Sequence, residues 1–152
     1  MSPTPSRFLA AGFVLLGLTV SACGSPGDAM AQALADEMMA NPQTPDYIDR
    51  DIADCMGSVF VAEIGESELE AAGVSAENVA DQADKIAAEN PTAASAMFGC
   101  FNDETTLDFL MDEFGVDATT AQCVVDELGD DAAVKLVSGD LGAYTAATGC
   151  GL

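Results

Sequence analysis

From Met30 almost to the last residue, apolar side chains recur every third or fourth position and nowhere alternate over a useful length. That spacing lines one face of an α-helix, whose period is about 3.6 residues, and does not suit the two-sided pleat of a strand. Met30, Leu34 and Met38 form one stripe. Ile48, Ile52, Met56, Phe60 and Ile64 form a second, with Cys55 and Val59 alongside. Leu107, Leu110, Met111 and Phe114 make the cleanest amphipathic pattern, and Ala121, Val124, Val125 and Leu128 follow it. Hydrophobic residues are 49% of the chain, yet Trp is absent and Tyr occurs twice. Alanine, leucine and methionine favour helices, and long β-branched runs that would favour a sheet are missing. The expected fold class is all-α, a small disulfide-braced helical bundle.

Punctuation residues divide this pattern. Thr44-Pro45 reads as an N-cap followed by proline at the first helical position. Gly65 and Gly73 bracket a short piece around Leu69, Ser75 opens a helix through Val79, Ala83 and Ile86, and Asn90-Pro91 starts one carrying Met97, Phe98 and Phe101. Gly115 and Gly129 read as stops, Asp130 and Asp131 as N-terminal capping charges, and the last piece carries Leu141 and Tyr144 to Cys150.

The first 22 residues have a different character. A short segment with one positive charge, Arg7, precedes a largely apolar run from Phe8 to Val20. That run is too short to span a hydrocarbon core of roughly 30 Å, and the arrangement is that of a cleavable export signal. It closes on Val20-Ser21-Ala22-Cys23, with Leu18 just upstream. This resembles the lipobox of bacterial lipoproteins, and the resemblance implies cleavage before Cys23, a diacylglyceryl group on its thiol and acylation of the new amine. The expected location is then the cell membrane or envelope, on the extracytoplasmic side. Residues 23–29, with the run Gly24-Ser25-Pro26-Gly27-Asp28, read as the lipidated cysteine and a short flexible tether, and 30–152 as an acidic helical domain.

Five cysteines in an exported chain leave one unpaired, and a lipidated Cys23 removes the odd one. The other four, Cys55, Cys100, Cys123 and Cys150, lack metal-finger spacing, and the chain has no histidine. Two disulfides suit an oxidising compartment better than zinc. Of the three pairings open to four cysteines, Cys55–Cys100 with Cys123–Cys150 is favoured, because a faint repeat divides the domain so that each half closes on itself. In that repeat an acidic helix precedes a cysteine-bearing one, which runs on to Glu63-Ile64-Gly65 in one half and Glu127-Leu128-Gly129 in the other. It points to two similar helical modules. The cysteine-bearing helices also loosely resemble those of small secreted proteins of actinobacteria, a resemblance that implies no activity.

Charge narrows the partners. The chain holds 26 acidic and four basic residues, and with Arg7 set aside only three bases remain against all 26 acids, a side-chain charge of −23. Such a field repels phosphate backbones and anionic headgroups, so nucleic acid is excluded as a partner; a basic protein face or a cation would suit it, and the plainer reading is a solvated acidic surface. Without histidine there is no Ser-His or Cys-His pair, no serine stands three before a lysine, and no glycine-rich phosphate loop is present. Carboxylate pairs are too numerous among 26 acids to single one out. The expectation is a non-enzyme without cofactor or metal. The acid-rich run Asp46 to Asp54, including Asp49, lacks the glycine of a calcium loop, and Asp126, Glu127, Asp130 and Asp131 form a second acidic knot.

Two functions remain: a membrane-held binding module, and an acidic surface coat or low-affinity cation binder whose charge is itself the useful property. An exposed apolar patch among the methionines or near Phe98 and Phe101 would favour the first, and a uniformly acidic surface the second. The anchor has a direct test. Cys23→Ala should move the protein from the membrane fraction to the soluble fraction on cell fractionation, and membrane retention of that variant would exclude lipidation at Cys23.

Overall fold

The structure, a computed structural model, describes residues 25–152. The signal segment and Cys23 lie outside the described residues. Within them the chain is all-helical, as the periodicity predicts: nine α-helices and one 3₁₀ turn, with no strand.

The first helix, α1 (Pro26–Ala40), begins four residues earlier than its apolar stripe. Ser25 accepts the backbone N–H of Asp28, and the Asp28 carboxylate accepts the N–H of Ser25 at 2.8 Å, a reciprocal cap with Pro26 in the first turn. The expected tether over residues 23–29 is therefore corrected: from Pro26 onward it is helix, and Gly27 is buried. The following helix, α2 (Arg50–Ile64), starts later than the expected cap at Thr44-Pro45. The Thr44 hydroxyl is engaged elsewhere, donating to the Met38 carbonyl at 2.6 Å, and Asp49 caps α2 by accepting the N–H of Ile52 at 2.9 Å.

Helices α1 and α2 cross through small residues. Ala31 and Ala35 face Ala53 and Gly57, all buried. A Cβ built on Gly57 would collide with the Ala31 carbonyl oxygen and lie 3.2 Å from the carbonyl carbon. Arg50 spans the same junction, pairing with Asp36 of α1 and, at 3.0 Å, with Asp54 one turn along α2. These pairs are exposed and screened by solvent, so they add little to stability.

Gly65, at φ 96°, ends α2 and admits α3 (Glu66–Ala71), which buries Leu69 as expected. The helix expected from Ser75 is α4 (Val79–Glu89). A turn stands before it, in which Asn78 accepts the Ser75 N–H at 2.8 Å. The piece after Asn90 is also split, into α5 (Pro91–Ala96) and a 3₁₀ turn (Met97–Cys100). Next come α6 (Asp103–Phe114), capped by Asn102 and stopped by the left-handed Gly115, and α7 (Ala118–Leu128), capped by Asp117. The short α8 (Ala132–Val137) has no side-chain cap, so the capping role expected of Asp130 and Asp131 is corrected to mere proximity of charge. In α9 (Leu141–Cys150) the buried face is Ala143 and Ala147, whereas Leu141 is 82% exposed.

Two apolar clusters result. One joins the first half of α1 to Phe60 and Val61 of α2, Leu69, and Val79 and Ile86 of α4. The other joins Ile52 and Met56 of α2 to Phe109 and Leu110 of α6, Val124 of α7 and Leu136 of α8. Because α2 serves both clusters, the expected division into two similar modules does not describe the packing. The spacing disagrees too: Cys55 stands well over two turns before Gly65, and Cys123 less than two turns before Gly129.

The cysteines pair as favoured. Cys55–Cys100 ties α2 to the 3₁₀ turn and Cys123–Cys150 ties α7 to the end of α9, with Cα separations of 5.8 and 5.7 Å. The bridges close segments of 45 and 27 residues, and chain entropy alone would give each about 3.5 to 4 kcal/mol.

The helix crossing makes a prediction about two glycines. Gly57→Ala should lower unfolding free energy by about 3 kcal/mol, since the methyl meets backbone that cannot yield. Gly149→Ala, a helical position with open space around it, should raise it by about 0.5 kcal/mol. Urea denaturation of both variants measures the contrast, and equal effects would show that the crossing does not depend on Gly57.

Candidate functional site

The few aromatic residues are not spread through the two clusters. Tyr47, Phe98, Phe101, Phe109, Phe114 and Tyr144 line one groove of about 520 Å³, and Phe60 is the only other aromatic among the described residues. Each is placed by a local cause. The loop from α1 to α2 carries Tyr47, with Ile48 buried behind it. The 3₁₀ turn presents Phe98, and Phe101 follows directly; Cys100 between them is bonded to Cys55, which anchors this turn to α2. Phe109 and Phe114 come from α6, and Tyr144 from α9.

Apart from the tilted Phe98–Phe109 pair, the rings meet edge to face, an arrangement that aligns positive edges with negative faces. Centroids are 5.3 Å apart for Phe98–Phe101 and for Phe98–Phe109, 5.7 Å for Phe101–Phe109 and 6.0 Å for Phe109–Phe114. Tyr47 joins through Phe101 at 6.2 Å. Phe101 and Phe109 are buried and form the floor. The walls are open: Val137 is 41% exposed and Tyr144 39%. Leu141 stands one turn before Tyr144 on α9, extending the apolar strip beyond the groove.

One edge is acidic. Glu113 lines the groove itself, and the far side of Tyr47 faces a neighbouring cleft formed with Asp46, Asp108 and Asp112. The Tyr47 phenol is held above its ordinary value near 10, first by burial and then by the charges of Asp112, Glu113 and Asp108. No basic residue lines either cleft. Arg50 is paired with Asp36 and Asp54, and the Lys135 ammonium donates to the Leu128 carbonyl at 2.6 Å.

Of the residues singled out from sequence, the four cysteines are brought together in two bridges, and Cys23 lies outside the described residues. In the Asp46–Asp54 run, Asp49 is a helix cap and Asp54 an ion-pair partner of Arg50. Among the described residues, no three His, Cys, Asp or Glu side chains converge to hold a metal ion. The sequence points to Phe98 and Phe101 as one place for an exposed apolar patch, and both line this groove, although Phe101 is buried; Phe109 is not singled out by its spacing. The available signal was crowding, with four of the seven phenylalanines falling between Asn90 and Gly115. No protein-family model, curated protein or solved structure matches this chain.

The site sets a titration. In a Tyr144→Phe background Tyr47 is the sole tyrosine, and its phenolate absorbance should appear only above the ordinary range. Asp112→Asn with Glu113→Gln should lower the midpoint without restoring the ordinary value, because burial is the larger cause. A raised folded-state value means that the stability contributed is complete below the unfolded value near 10 and lost as pH rises through the folded one. Phenolate formation at or below the ordinary pH would contradict this placement of Tyr47.

Proposed function

We propose that this chain is an exported lipoprotein, anchored through Cys23, whose helical domain is a non-catalytic binding module using the aromatic groove as its contact face. The observation that carries the reading is the gathering of six aromatic side chains around one groove, with a buried floor of Phe101 and Phe109 and exposed apolar side chains at Val137 and Tyr144 on its wall and at Leu141 beside it. A core needs none of this exposure, and aromatic side chains are the residues most enriched at the centres of protein contacts. The coat reading needs only charge, and an apolar groove set in an acidic surface is a cost to it.

Support for the anchor is of a different kind. The lipobox-like Val20-Ser21-Ala22-Cys23 accounts for the fifth cysteine, and the two disulfides suit an extracytoplasmic, oxidising setting. Two or more acyl chains hold a protein durably at a bilayer, whereas one does so only marginally.

Crosslinking in intact producing cells tests both parts. Wild type should capture one dominant protein at physiological salt, and both Cys23→Ala and Tyr144→Ser should lose it. Capture by wild type and Tyr144→Ser alike would move the contact face away from the groove. No captured protein above background would leave the acidic coat as the better account.

A further inference from the structure

We infer that the occupant of the groove is a protein segment bearing a lysine or arginine beside an apolar side chain, the cation seated on the Tyr47–Glu113 edge and the apolar group over Phe101 and Phe109. This deepens the proposed function and rests on it. The geometry has two compartments with a shared wall. On one side of Tyr47 lies the aromatic floor, and on the other Asp46, Asp108 and Asp112. A cation at that wall meets ring faces and carboxylates together, a combination that favours guanidinium or ammonium groups over neutral ones.

Charge complementarity selects the occupant. The described residues carry three bases against 26 acids, and neither cleft holds a base to neutralise its rim. A second copy of the chain would bring the same negative field to the same place, so self-association through this face is opposed. A bilayer is opposed as well, because insertion of the groove would strip water from Asp108, Asp112 and Glu113. Beyond Val137 and Tyr144 on the groove wall, the apolar strip runs on to Leu141, which is 82% exposed. A small cation would leave that strip uncovered, whereas a peptide segment would cover it.

Panning a displayed library of short random peptides against the immobilised full chain tests the inference. Enriched peptides should place lysine or arginine next to an apolar residue. Their dissociation constants should rise about tenfold on Tyr144→Ser and on Val137→Ser, and about threefold on Glu113→Gln. Both serine substitutions fall on exposed positions, and unchanged helical circular dichroism would confirm folding. Enrichment of neutral or acidic apolar peptides that are lost on Tyr144→Ser would overturn the basic occupant while keeping the groove as the contact face. Enrichment of lysine-rich peptides indifferent to Tyr144→Ser would reduce binding to bulk charge and overturn the groove as well, as would no enrichment at all. Binding of phosphatidylcholine vesicles that is lost on Val137→Ser would replace the peptide with a lipid surface.

Discussion

The rest of the architecture hangs on the close crossing of α1 and α2. With Ala31 and Ala35 against Ala53 and Gly57, two backbones approach nearly to contact. At that distance many weak dispersion contacts act at once, and they act between rigid elements rather than between side chains that must first be ordered. The pair then offers two ends to the remaining chain. Helices α3 to α5 cover one, and α6 to α9 cover the other. Without the crossing, Met30, Leu34 and Phe60 would have no partner on one side, nor Ile52 and Met56 on the other.

Charge works against this compactness. All 26 acids lie within the described residues, and folding brings them closer together than an expanded chain would. Capping accounts for a few: the Asp28 carboxylate accepts the N–H of the cap residue Ser25, and Asp49, Asp117 and Asp140 each accept a backbone N–H of the first turn, where the local field favours a negative group. The disulfides act from the other direction by limiting how far the unfolded chain can expand. Cys55–Cys100 has a local role as well, since the turn that it holds carries Phe98 and leads into Phe101.

Helical class and the positions of the long helices were legible because apolar periodicity and glycine stops are local signals. The stops at Gly65 and Gly115 fall where the sequence puts them. Helix starts were less legible, because a cap is a competition among nearby polar groups. Thr44 loses to Asp49 once its hydroxyl finds the Met38 carbonyl, a partner six residues back that no pattern announces. Ser25 and Asp28 did carry the spacing of a reciprocal cap, but the flanking Gly and Pro masked it. In α9 the large residues Leu141 and Tyr144 drew attention, while the small Ala143 and Ala147 permit the close packing that buries that helix. The groove was hidden for a similar reason. Its rings come from one loop, one 3₁₀ turn and its exit, and two helices, and only the tertiary arrangement separates an exposed aromatic wall from a buried one.

The early start of α1 bears on geometry at the membrane. With a lipid on Cys23, only Gly24 and Ser25 stand between the anchor and a capped helix. So short a connection would hold the domain close to the bilayer. The fifteen residues of α1 then act as a strut roughly 22 Å long. The foot of the strut is packed in one cluster, and Ala35 and Met38 near its head reach the cluster that underlies the aromatic rings. In a chain anchored at Cys23, the length of α1 and the clusters at its two ends would thus set how far the groove stands from the lipid, and a partner would have to bring its own contact segment to that height.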